Sequence, residues 1–147
     1  MQAVDIIARI LHIGSAIALL GGTFFFLVVV IPSLKVLDDG LRGSILQVAR
    51  KRFYRISHPA LLLLVLTGFY QYAQNIDIYR KGNKAAINGL LGFKILLALT
   101  ILTIVFGQTF GAIKACPIKM ARFNLAMGIL IVIIAAIVRS LRLQALP

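Results

Sequence analysis

Four apolar stretches make up most of this chain, and each is long enough to cross a lipid bilayer. They run over Asp5–Ile31, Ile56–Tyr72, Asn88–Ile113 and Asn124–Ser140. A hydrocarbon core of ~30 Å takes about 20 residues of helix, with a range of roughly 17–25. Lipid offers no water to pair the backbone N–H and C=O groups, so such stretches must be helical. A hydrophobic share of 61% and a mean hydropathy of +0.98 exceed what a soluble domain of 147 residues carries. The expected fold is therefore an all-α integral membrane protein. It is read as one antiparallel four-transmembrane-helix bundle that uses residues 1–147 as a single domain.

The first stretch is read as a retained helix. Its apolar part exceeds the roughly 7–15 residues of a signal-peptide core. Pro32-Ser33-Leu34-Lys35, which follows, lacks a small-x-small cleavage pattern. Pro32 is expected to end this helix, and Asp38-Asp39-Gly40 reads as a turn. Gly21 and Gly22, with Gly14, Ser15 and Ala18 before them, suit close approach of a neighbouring backbone. Phe24, Phe25 and Phe26 suit contact with lipid or a partner chain. From Ser44 to Ile56 the pattern is amphipathic, with Leu46, Ala49, Phe53 and Ile56 on one face. This segment is expected to lie at the interface and lead into the second span, with Pro59 near the first turn, where proline is tolerated. In the last stretch Asn124, Gly128, Ala135 and Arg139 share a small and polar face, which is expected to turn inward.

The formal net charge of +12 is explained by the connections, where basic residues meet anionic headgroups. No aromatic-interleaved basic motif for nucleic acid is present. Nine Lys and Arg fall on the side of the first and third connections and six on the other. This bias favours both termini outside the cytoplasm and suits a multi-pass protein of a bacterial inner membrane. The single Cys116 excludes an intrachain disulfide and a CxxC pair, and reads as a lone interfacial thiol.

Two residues stand out against the apolar background. Lys94 is the only basic residue between Gly89 and Phe106, and an ammonium in hydrocarbon needs a partner or a task. His12 lies in the first stretch. At 1.5 Å per residue, His12 is roughly 10 Å below Asp5 and Lys94 roughly 9 Å below Asn88. In an antiparallel bundle both depths are measured from the same side. A histidine and a neutral amine at one depth can ligate a haem iron from its two faces, with apolar walls excluding water. Arg139 returns to that side and could neutralise a propionate. The bland alternatives are a hydrogen-bonded intramembrane His12 and snorkelling ends for Lys94 and Arg139. His58, the other histidine, opens the second span on the opposite side. The expected axial separation from His12 is on the order of 20 Å, too far for one iron. Copper is disfavoured because Met1, Met120, Met127 and Cys116 are scattered. Asp5, Asp38, Asp39 and Asp77 form no intramembrane acid/base pair, which argues against a proton-driven transporter.

Short motifs along the chain resemble the HemJ family of membrane protoporphyrinogen IX oxidases and the related copper-resistance D (CopD) domain. They are Leu11-His12-Ile13 with the later Gly-Gly and Val-x-x-Pro, and Arg52-Phe53-Tyr54-Arg55-Ile56 followed by Pro59-Ala60-Leu61 and Thr67-Gly68. Lys94 with Ile95-Leu96-Leu97, and Asn124, complete the set. The resemblance covers most of the chain and implies four helices with a b-type haem held at His12 and Lys94. The chain departs from the family pattern in having no tryptophan, no histidine near Phe106-Gly107-Gln108, and Leu125 where an acidic residue follows the asparagine. The resemblance thus implies the fold and the haem site more directly than the oxidase activity. Three functions follow: a haem-b membrane redox protein that oxidises a porphyrinogen or passes electrons, a CopD-like copper-handling protein, and a non-catalytic accessory subunit of a larger membrane complex. A homodimer is compatible with the first and third.

Overall fold

A computed structural model describes residues 2–74, 85–110 and 116–143. Among them the chain is helical, with no strand. Four long helices are present: α1 Gln2–Phe25, α2 Asp39–Gln74, α3 Ala85–Thr109 and α4 Pro117–Leu143. Three helical segments are long and apolar enough to cross a membrane, Ala3–Val36, Gly89–Thr109 and Ile118–Leu141. The protein is therefore an all-α membrane protein. α2 is not among the three, because basic residues fill its first half and His58, Pro59, Gln71 and two tyrosines dilute the rest.

The helix limits differ from the sequence expectation at both prolines. Pro32 does not end the first helix. Beyond Phe25 the helix widens into a π turn over Phe26–Val30, then continues through Ile31–Ser33 and a 3₁₀ turn over Leu34–Val36. A proline ring clashes with the carbonyl four residues before it. The wider turn relieves that clash, and the Ile31 N–H donates to Phe26 O. Asp39, expected in a turn, opens α2. Pro59 lies deep inside α2, not near its first turn, and Ser44–Ile56 is continuous with the rest of that 36-residue helix. Just before Pro59, Tyr54 O accepts side-chain bonds from His58 Nδ1 at 2.6 Å and from Ser57 Oγ at 3.5 Å. Ile56, expected on the apolar face, is 64% exposed. α3 begins three residues before Asn88, and α4 begins seven residues before Asn124. The expected end at Ile113, and residues 75–84 of the expected polar connection, lie outside the described residues.

The chain divides into two compact units, Met1–Gln74 and Asn75–Pro147. In the first, α1 and α2 pack antiparallel. Tyr70 Oη donates to Asp5 Oδ1 at 2.9 Å near one end, and Phe26 stacks on Phe53 with ring centroids 5.7 Å apart near the other. The seam has a heptad spacing. Ala8, His12, Ser15, Leu19 and Gly22 on α1 with Phe26 of the π turn, and Phe53, Ser57, Ala60, Leu64, Thr67 and Gln71 on α2, alternate by four and three and are all buried or half-buried. Such a spacing keeps one stripe of each helix facing its partner. Small residues recur along it, as expected where helices associate by close packing within lipid. Gly22 shows the close approach directly, since a Cβ there would stand 2.8 Å from Phe53 Cε2. Gly21 faces open space. Phe24 and Phe25 are 55% and 56% exposed, so only Phe26 of the phenylalanine run enters the seam.

In the second unit α3 packs against α4. Seven residues separate them and reach at most about 25 Å, too short to retrace a 25-residue helix of about 37 Å, so the two are antiparallel. Leu97, Met127, Ile134 and Val138 form the buried cluster, with Leu90, Ile101 and Ile131 against it. The same heptad spacing continues through Lys94, Ile104 and Gln108 on α3, and through Met120 and Asn124 on α4. The inward face of α4 is thus the Met127–Ile131–Ile134–Val138 stripe. Gly128 and Ala135 of the expected small face adjoin it, while Arg139 is exposed.

Candidate functional site

His12 is a seam residue of the first unit. Its position on α1, four residues after Ala8 and three before Ser15, directs the imidazole at α2. There His12 Nδ1 lies 3.0 Å from Thr67 Oγ1. The direction of this bond follows from the hydroxyl's single proton. Thr67 Oγ1 donates to Leu63 O at 2.6 Å, with Leu64 O 3.3 Å away. Its proton is committed to the helix backbone, so towards the imidazole the oxygen accepts, and His12 Nδ1–H donates. In a neutral ring this direction would place the lone pair on Nε2. The ring is pressed against the α2 backbone at Gly68, where a Cβ would meet His12 Cε1 at 3.3 Å. Thr67 is buried and His12 half-buried.

Beside this bond lies an open apolar groove of about 250 Å³, lined by Ile7, Ala8 and Leu11 of α1 and by Leu66, Thr67 and Tyr70 of α2, among others. It falls below the ~300–1,000 Å³ usual for cavities that enclose a ligand. Within this unit a flat macrocycle would lie against the helix pair, not inside it.

His58 is also half-buried, with Nδ1 donating to Tyr54 O and its ring edge-on to Tyr54 at 5.6 Å. It stands nine residues before Thr67 on α2. That offset is a rise of about 13 Å from the level of His12, less than the ~20 Å expected. The offset is set by the register of the pair, in which Asp5 meets Tyr70 and His12 meets Thr67. The gap is still too long for one iron to take both rings.

Lys94 and Arg139 belong to the second unit. Lys94 falls between Leu90 and Leu97 on the stripe that packs against α4 and is half-buried. At 100° per residue it sits about 40° from the centre of that stripe, towards Leu91 and Ala98. Its butyl stem is thus set along the edge of the helix pair. Arg139 is exposed, one residue past buried Val138. Two other polar side chains on the seam, Gln108 and Asn124, each bury an atom, Nε2 and Oδ1, without a hydrogen-bond partner among the described residues. Cys116 is exposed.

Among the described residues no three His, Cys, Asp or Glu side chains converge as a metal-ion cage would require. His12, the one histidine of α1, faces the Thr67 hydroxyl through Nδ1. In the sequence Thr67 and Gly68 stood out only as part of the family-like motif after Pro59, not as partners of His12. The signal that links them to His12 is the matching heptad spacing of α1 and α2, read antiparallel. No family model, curated protein or solved structure matches the chain.

Proposed function

We propose that this chain is a haem-b-binding redox protein of the membrane, in which His12 would hold the iron. The observation that carries the reading is the His12–Thr67–Leu63 hydrogen-bond chain on an apolar helix pair. With Nδ1 turned to Thr67, Nε2 is the nitrogen that would meet the iron. Lys94 is the second residue that would hold the iron in this proposal, on the sequence argument of equal depth. To ligate, its amine would have to give up a proton. Arg139 is the cation the sequence offers to a propionate. The surrounding Leu, Ile and Val side chains keep water from the iron and hold the group in a low dielectric. Bound haem would supply one-electron transfer. Whether the electrons come from a porphyrinogen, as the HemJ resemblance implies, or from another carrier is part of the same proposal.

The fold that goes with this reading is an antiparallel bundle of four spans in a bacterial inner membrane. The fourth span is the Ile56–Tyr72 part of α2, which carries no charged side chain and pairs with the apolar α1. At 36 residues α2 is about 54 Å long, well beyond a ~30 Å core. Its first half, with Arg42, Arg50, Lys51, Arg52 and Arg55, would then extend along and past the interface.

The test is an optical spectrum of the purified protein. A Soret band with α and β bands that sharpen on dithionite reduction, lost in His12→Ala, is the expected result. Bound copper without a Soret band would support copper handling instead. A colourless protein that co-purifies with other membrane subunits would support the accessory role.

A further inference from the structure

We infer that Thr67 is the positioning residue of the candidate haem ligand, and that Gly68 is the platform that lets it act. The inference rests on the haem reading for its purpose, but its first observable does not require haem. A neutral histidine in an apolar helix pair has two tautomers, and only one nitrogen of each can ligate a metal. Here the choice is made by the partner helix. The Thr67 hydroxyl has one proton and gives it to Leu63 O at 2.6 Å. Its oxygen lies 3.0 Å from His12 Nδ1 and accepts from it. The Leu63 carbonyl is a fixed element of α2, so the chain of bonds runs in one direction only. Reversing it would move the Thr67 proton from Leu63 O at 2.6 Å to His12 Nδ1 at 3.0 Å, exchanging the shorter bond for a longer one. The ring is thereby held as the Nδ1–H tautomer, with Nε2 as the ligating atom.

Gly68 completes the device. The imidazole edge rests on the α2 backbone there, and a methyl group would stand 3.3 Å from His12 Cε1. That is closer than carbon atoms normally pack, so a side chain at 68 would push the ring away by a few tenths of an ångström and lengthen the bond to Thr67. The pair Thr67-Gly68 therefore sets both the tautomer and the seat of the ring. A threonine with an i−4 backbone bond and a glycine beside it are each ordinary in membrane helices. Their placement opposite the only seam histidine of α1 gives them a task.

The experiment is nitrogen NMR of the apo-protein, labelled at histidine, in detergent micelles at alkaline pH, where imidazole is neutral. The chain has two histidines, and His58→Ala assigns the His12 resonances. The expected result is a protonated Nδ1 and an unprotonated Nε2 for His12. Thr67→Val, which keeps the shape and removes the hydroxyl, should give a mixed or reversed tautomer. Thr67→Ser should restore the wild-type pattern, and Gly68→Ala should move it part of the way towards Thr67→Val. After loading with haem, the midpoint potential should rise in Thr67→Val, because a less basic imidazole stabilises ferric iron less, and return in Thr67→Ser. An Nε2–H tautomer in the wild type, or a tautomer unchanged by Thr67→Val, overturns the inference. Should Thr67→Val fail to fold, the wild-type tautomer and the Ser and Ala variants still decide it. The two readings fail separately. The expected tautomer with no Soret band in the wild type overturns the haem reading and leaves the positioning assignment intact. A Soret band with the opposite tautomer does the reverse.

Discussion

Replacing Gly22 by alanine should weaken the α1/α2 pair, whereas the same change at Gly21 should not. The two glycines are adjacent on one helix and differ in what a methyl group would meet. At Gly21 a Cβ has nothing within 4 Å. Alanine there should only gain helix propensity, about 1 kcal/mol at most. At Gly22 the Cβ would stand 2.8 Å from Phe53 Cε2, against an optimum of about 3.5–4.0 Å for carbon pairs. Roughly 1 Å must be found, either by separating the helices or by turning Phe53 off its stack with Phe26. Overpacking of this kind costs about 1–3 kcal/mol, and an aromatic stack is worth about 0.5–1.5 kcal/mol. Set against the propensity gain, Gly22→Ala should range from neutral to about 2 kcal/mol destabilising. The difference between the two variants should be about 1–3 kcal/mol. Equilibrium unfolding in mild detergent measures it. Phe53→Ala supplies the control, because without the ring Gly22→Ala should behave like Gly21→Ala, a coupling that a double-mutant cycle isolates. Equal effects at the two glycines, or a Gly22 penalty that persists in the Phe53→Ala background, would show that this approach does not set the helix spacing.

Haem content should fall sharply in His12→Ala and stay near the wild-type value in His58→Ala, as read by pyridine haemochrome; equal loss in both would mean that the ~13 Å offset does not separate their roles. Lys94→Met should leave the protein folded but shift the Soret and α bands, since a thioether fills similar volume and can ligate iron in a different axial field. Unchanged bands would reduce Lys94 to a snorkelling residue. In the second unit Ile134→Ala should cost about 2–4 kcal/mol, because Ile134 is 4% exposed within the α3/α4 cluster. Ile133→Ala, at 49% exposure on the outer surface, should cost well under half as much in detergent unfolding, and a comparable loss would move the seam by one residue.

The apolar stretches determined, without any structure, that this is an all-helical membrane protein, because lipid leaves the backbone no other way to satisfy its hydrogen bonds. His12 and Lys94 were also legible as the residues that need explaining, since intramembrane polar groups are costly wherever they point. Helix limits were not legible at Pro32 and Pro59. Local rules count a proline as a stop, whereas the folded chain continues its helix past both, with a π turn just before Pro32. The partners of each residue were the least legible of all. In water a helix announces its buried face by polarity, but in a bilayer the lipid-facing and helix-facing sides are equally apolar. Phe24 and Phe26 have the same side chain, yet one is exposed and the other stacks on Phe53. What marks the seam is the four-and-three spacing of small and polar residues, and it marks only a stripe on each helix. The register in which α1 meets α2, and with it the pairing of His12 with Thr67 and of Gly22 with Phe53, is decided by packing between the two helices. A single helix taken alone contains no information about where along its length the other will lie.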